Sequence, residues 1–382
     1  MHSNPIFLDN NGTTLLDTRV LEVMLPYLSN QYGSPTSRHS FGRAARQALD
    51  QAREQVAEAC GAHPSQVIFT ASGTESDNFA IAGMAGDEQK QIAVSAIEHP
   101  AITRPAFAMR SYGHRVGVIA ADQFGAVDSN SLEVALEKPT SLISVMLANN
   151  ETGVIQNIAQ LAEIAKSKGA LIHTDAVQAL GKIPVNFDAL GVNAMTVSSH
   201  KINGPQGAGA LILDKRVDIK PLLHGGGQER GLRSGTENVA AIVGFGAACA
   251  LIKNEMEQRA NITKALRDTL ETNLKSLGAS IFGDKAARLP NTSFFAFNQI
   301  EGETLVMALD RKGFAVASGS ACSSDSTEPS HVLMAMGVAP DLARGAVRVS
   351  FGANNTPEQL NAFLTVIKNE VSRLRELTAV TI

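Results

Sequence analysis

The chain has 382 residues, 44% of them hydrophobic and 18% charged, with a formal net charge of −4. That balance gives no basic footprint for nucleic acid or for an anionic membrane surface, and no run of about 18 apolar residues stands out as a membrane span. Three cysteines, Cys60, Cys249 and Cys322, are too few and too scattered for a disulfide framework or a structural zinc site, so no metal is expected.

Met1-His2-Ser3-Asn4-Pro5 lacks the basic-then-apolar pattern of a secretory signal, and the expected compartment is a reducing cytoplasm. The length argues for two domains. Apolar β-like runs follow at Val67–Thr70, 92–95, 141–148, Leu171–Asp175, Ala194–Ser198 and 208–213, with helical patterns between them, as at 43–59 and Ile158–Ser167. This alternation predicts an α/β fold with a mostly parallel sheet covered on both faces. Residues 239–277 read as one long helical connector. A smaller alternating unit comes next, with strands at Thr292–Phe297, 314–317 and 347–351 and a helix at 303–311. The last helix opens with Thr356-Pro357-Glu358-Gln359, a capping-box pattern, and carries Leu360, Phe363, Leu364, Ile367, Val371 and Leu374 as one apolar stripe.

Polar groups cluster just after the β-like runs, where open α/β sheets bind ligands. Ala71-Ser72-Gly73-Thr74-Glu75-Ser76 leads into a helix, so its backbone N–H groups either meet a phosphate or form an ordinary Ser/Thr cap. His99, in Glu98-His99-Pro100, is either structural or a flat proton carrier near neutral pH. Asn150, in Asn149-Asn150-Glu151-Thr152-Gly153, is either a ligand contact or part of a polar turn. Asp175 ends His173-Thr174-Asp175, as a helix cap or as a carboxylate for a ring nitrogen. Lys201 ends Ser198-Ser199-His200-Lys201 in a loop rich in turn formers, as a surface lysine at a strand end or as a side chain fixed in a cleft. A lysine able to form a Schiff base, paired with an aspartate for a pyridinium nitrogen, is the protein's share of pyridoxal-phosphate chemistry. Cys322 lies in the small-residue loop Gly319-Ser320-Ala321-Cys322-Ser323-Ser324-Asp325, where a thiol is reactive once its thiolate is stabilised. Arg348 alternates within an apolar strand, to pair with a structural carboxylate or to clamp that of a substrate.

In their joint order and spacing these motifs, with Phe7-Leu8-Asp9-Asn10 and Gly225–Asn238, resemble the cysteine desulfurases, the NifS/IscS-like branch of the class V aminotransferase family. The resemblance implies a fold-type I transferase with a mainly parallel seven-stranded sheet in a large domain, residues 15–255. It also implies a smaller C-terminal α/β domain made of residues 1–14 and 256–382. It implies pyridoxal 5'-phosphate carried by Lys201, with Asp175 at the ring nitrogen, Gln178 and Asn150 on the phenolic side and His99 stacked on the ring. Gly73, Thr74, Ser198 and His200 would hold the phosphate, joined by Thr236 from the partner of a homodimer. L-cysteine would be the substrate, its carboxylate oriented by Arg348, with Asn150 and Ser34 nearby. Lys201 would act as base, His99 as proton carrier and Cys322 as persulfide carrier toward a sulfur-acceptor or scaffold protein, for iron–sulfur cluster assembly or thiolation. Where this family commonly shows Gly-Asn-Pro, the chain has Gly33-Ser34-Pro35, and Asn203 and Gln206 replace an aromatic or histidine and a lysine. Rival readings are a selenocysteine lyase, a transaminase of the same fold, or a non-catalytic scaffold.

Overall fold

The computed structural model describes residues 5–319 and 328–379, so Cys322 lies outside the described residues. Seven strands form the main sheet, in the order Val67–Thr70, Gly209–Leu213, Ala194–Ser198, Leu171–Asp175, Thr140–Ser144, Gln91–Ser95 and Arg115–Ile119. Six run in one direction, and Gly209–Leu213 is antiparallel to both neighbours. Every residue of Gln91–Ser95, Ala194–Ser198 and Gly209–Leu213 is buried, as their continuous apolar runs require of strands covered on both faces. The edge strand Arg115–Ile119 escapes the apolar-run pattern because it is half exposed and carries Gly117 in its interior.

The reversal between Ala194–Ser198 and Gly209–Leu213 positions the site. The two strands are neighbours, Ser198 facing Gly209, and the loop between them carries Lys201 just past the carboxyl end of Ala194–Ser198. The loop takes left-handed backbone at Asn203 (φ 65°) and Gly207 (φ 83°). Asn203 is held there by Arg259, which donates to its Oδ1 at 3.0 Å, and by its own Nδ2, which donates to Leu15 O at 2.8 Å. At Gly204 a Cβ would run into Ser199 Oγ, so the turn also excludes a side chain sterically.

The C-terminal part builds a four-stranded antiparallel sheet in the order Ala317–Ser318, Ala346–Ser350, Thr292–Phe297, Ala279–Ile281. The N-terminal strand Ile6–Phe7 pairs in parallel with Phe314–Ala315, which ties the start of the chain to this part. Helix Pro357–Ala379 begins with the expected reciprocal box: Gln359 N donates to Thr356 Oγ1 and Thr356 N to Gln359 Oε1, both at 3.3 Å.

Helix Val239–Ser276 links two cores. Its first half packs Ala241, Ile242, Phe245, Ala248 and Cys249 among Val20, Leu49, Val56 and Val197. Its second half packs Leu266, Leu270 and Leu274 among Phe295, Phe297, Val349 and Phe363. One stretch of this helix is long and apolar enough to cross a membrane by length and composition, but more than half of that stretch is buried inside the protein. Its apolar side chains are spent on the core.

Candidate active site

A cavity of about 300 Å³ opens at the carboxyl ends of the parallel strands. Ten of the residues singled out from the sequence line it: Gly73, Thr74, His99, Asn150, Asp175, Gln178, Ser198, His200, Lys201 and Arg348. Thr236 is exposed and does not line it. Ser34 is half-buried, its hydroxyl 2.9 Å from Thr36 Oγ1, and does not line it either.

One end of the cavity is built from the helix Gly73–Met84 and the turn after Ser198. Ser72 caps the helix, its hydroxyl accepting from Glu75 N at 3.1 Å. Gly73 is buried at the first helical position, and a Cβ there would come within 2.9 Å of Val177 Cγ2. Ser198 Oγ is buried and has no hydrogen-bond partner among the described residues. His200 Nδ1 lies 3.0 Å from Thr13 Oγ1, and burial, then the charge of Lys201, lowers this imidazole to about 4. A helix N-terminus, a missing Cβ and an unspent hydroxyl together make an anion seat.

Asp175, His99 and Lys201 occupy the middle. Asp175 Oδ1 accepts from Val177 N at 2.8 Å, so its cap-like role and its place in the cavity coexist. Burial raises this carboxyl, while the Val177 N–H and the charge of Lys201 work the other way. His99 Nδ1 accepts from Ala101 N at 3.1 Å, which leaves the hydrogen of the neutral ring on Nε2. Burial, then the charge of Lys201, holds His99 down at about 4, so it is neutral at pH 7. Lys201 Nζ donates to the main-chain oxygens of Asn11 (2.6 Å) and Gly12 (2.5 Å).

Arg348 closes the far end. Its Nη2 donates to Asp9 Oδ1 at 2.7 Å and its Nη1 to Asn150 O at 2.9 Å. Its buried Nε has no partner among the described residues. The structural pairing and a free donor thus occur in the same side chain.

Asn11, Asp9, Asp77 and Met146 also line the cavity and were not read as site residues. Asn11 is 1% exposed and is hydrogen-bonded to Ser350, Asn150, Thr292, Gln178 and Asn291. Its only sequence signal was the polar run Asp9-Asn10-Asn11-Gly12 after a short apolar start.

The model of the class-V aminotransferases matches residues 6–363. The chain belongs to the class-V aminotransferase family. It is 43% identical over 378 residues to a cysteine desulfurase IscS of Dictyoglomus turgidum, covering 98% of this chain and 96% of that one. Among solved structures, a NifS-like protein has a TM-score of 0.91 at 38% identity, covering 96% of this chain and 99% of that one. SspA in complex with cysteine has a TM-score of 0.80 at 30% identity, covering 92% and 99%.

Class-V aminotransferases use pyridoxal 5'-phosphate, and the residues present fit it. The Ser198 hydroxyl without a partner and the Gly73 cradle suit a phosphate. A buried carboxyl, a neutral imidazole and an amine on two carbonyl oxygens suit the ring and its aldehyde.

Proposed function

We propose that this chain is a cysteine desulfurase that takes sulfur from L-cysteine, releases L-alanine and holds the sulfur as a persulfide on Cys322. The observation that carries the reading is the meeting of Lys201, Asp175, His99 and Arg348 in one cavity beside both anchor points of the Cys322 segment. Before that segment, Ala317 pairs with Arg348 itself. After it, Ser330 donates to Glu151 Oε2, and His331 Nε2 lies 2.9 Å from Glu98 O, next to His99.

Lys201 anchors the cofactor, Asp175 holds a proton at its ring nitrogen, and Gln178 and Asn150 meet its phenolic side. Gly73, Thr74, Ser198 and His200 bind its phosphate. When bound, pyridoxal phosphate supplies an electron sink for the substrate Cα. Arg348 orients the substrate carboxylate through its guanidinium, with Asn150 and Ser34 on the substrate side. Lys201 moves the proton at Cα, and His99 carries protons through its Nε2. The Cys322 thiolate attacks the substrate sulfur, forming an S–S bond as the substrate C–S bond breaks. The electron pair of that bond stays on carbon, which takes a proton and becomes the methyl of alanine. Together cysteine and the Cys322 thiol give alanine and a persulfide, with atoms and electrons balanced.

Thr236, exposed in the single chain, reaches the phosphate of a partner subunit in a homodimer. The acceptor is a sulfur-carrier or scaffold protein for iron–sulfur cluster assembly or thiolation, and the compartment is the cytoplasm. The two hydrophobic cores on either half of helix Val239–Ser276 support a division into residues 15–255 and residues 1–14 with 256–382. The test is the Cys322→Ala holoenzyme. It is expected to keep its yellow colour and to lose alanine formation from L-cysteine, whereas full alanine formation would remove Cys322 from the reaction.

A further inference from the structure

Lys201 also borders a second and much smaller void of about 50 Å³, lined by Lys182 and Arg259 together with Asn10 and Asn291. Lys182 has no role in the chemistry described above. Gly181, at φ 74°, turns the chain so that Lys182 comes back beside Gln178, four residues earlier. Its Nζ donates to Gln178 Oε1 at 2.5 Å and to Asn11 Oδ1 at 2.9 Å.

These two contacts settle how two site residues are oriented. Gln178 Nε2 donates one hydrogen to Asn11 O at 3.0 Å, which leaves the other for the cavity that Gln178 lines. Turned over, the amide would set its oxygen against the Asn11 carbonyl, a repulsive contact, and would take from the Lys182 amine the oxygen it now donates to. Asn11 in turn is held by Lys182 and Asn291 at Oδ1 and by Thr292 Oγ1 and Asn150 O at Nδ2. The main-chain oxygen of this pinned residue receives Lys201 Nζ, as does that of Gly12 beside it.

We propose that Lys182 is a positioning residue of the cofactor site. It fixes the Gln178 amide with its NH2 toward the cavity and locks Asn11, a carbonyl seat of Lys201. The proposal rests on the reading of Gln178 as a contact of the cofactor's phenolic oxygen. A donor is the polarity that such an oxygen needs, because a hydrogen bond to the charged form lowers its proton affinity. Burial first, and then the charges of Lys201 and Arg348, hold the Lys182 amine well below the ordinary lysine range, and Arg259 also lines the small void. Among the described residues lining that void there is no carboxylate.

The experiment is a pH titration of the visible absorbance of the holoenzyme, wild type against Lys182→Met, Lys182→Ala and Lys182→Arg. Removing the donor frees the Gln178 amide, so K182M and K182A are expected to raise the midpoint of the cofactor's spectral transition by about one pH unit. K182R, which restores a donor, is expected to bring it back toward the wild-type value. Lys182→Ala guards against a methionine that packs badly, and either variant alone decides the matter. A wild-type midpoint in K182M or K182A overturns the positioning role while leaving the cofactor site intact. A wild type that binds no pyridoxal phosphate overturns the cofactor reading and this proposal with it.

Discussion

Glu98 and His99 stand side by side in the sequence and are driven in opposite directions by the same burial. Burial pushes the Glu98 carboxyl up to about 8, against the hydrogen bonds from Ser95 and Met146 N, and pushes the His99 imidazole down to about 4. Both are therefore uncharged near pH 7, Glu98 with a proton and His99 without one. The stability consequence differs between them. His99 refuses a proton that the unfolded chain binds below its ordinary pKa of about 6.5, so it costs stability as pH falls from there toward 4. Glu98 keeps a proton that the unfolded chain has released above about 4.5, so it costs stability as pH rises from there through 8. Glu98→Gln removes the second cost alone and keeps an oxygen for Ser95 and Met146 N. Its melting temperature relative to wild type is expected to climb between about pH 5 and about pH 8, and a difference that stays flat across that range would contradict the buried neutral carboxyl. At this scale Lys201, Asp175, His99 and Arg348 were legible because each ends or interrupts an apolar run with a group that has no business in a core. Asn11 and Lys182 were not, because their meaning comes from partners such as Thr292 and Gln178 that only the fold brings to them.

The elements that hold the cavity are joined by a buried ion pair. Arg53, on helix Ser40–Ala59, donates to Glu229 through Nη2 (2.6 Å) and Nη1 (2.8 Å), and Nη1 also reaches Val67 O at 2.9 Å. Glu229 in return accepts from Phe69 N at 2.9 Å, in the strand that leads to the Gly73 helix. Glu229 and Arg230 both lie in the left-handed region, at φ 46° and 60°, a conformation that non-glycine residues adopt only when their surroundings hold them. Arg53→Met would leave Glu229 buried without its partner, and the expected loss is about 3–5 kcal/mol in denaturant unfolding. A loss below about 1 kcal/mol would mean that the carboxylate finds water or another donor. The alternating apolar runs made most strands readable in advance. The antiparallel course of Gly209–Leu213 was not readable, since its apolar run is equally consistent with either direction, and the deciding features are the left-handed turn at Asn203 and Gly207 and the pairing of Ser198 with Gly209.

At the scale of the whole molecule, the Arg348 end of the cavity depends on the small C-terminal sheet and the Gly73 and Lys201 end on the large one. Arg348 comes from strand Ala346–Ser350, and Asn11 Nδ2 reaches Thr292 in the adjacent strand. The proposed homodimer adds Thr236 from the partner. Thr236→Val is accordingly expected to weaken retention of pyridoxal phosphate during dialysis without altering the melting temperature of the apoprotein, and unchanged retention would argue against a cross-subunit phosphate contact. The central claim is that this cavity serves sulfur transfer to Cys322. Its most direct measurement is mass spectrometry of the Cys322 peptide after the reductant-free holoenzyme meets L-cysteine, with alanine assayed in the same sample. One added sulfur on that peptide, matched mole for mole by alanine, is the expected result. Alanine formed with no sulfur on Cys322, or pyruvate in place of alanine, would contradict it.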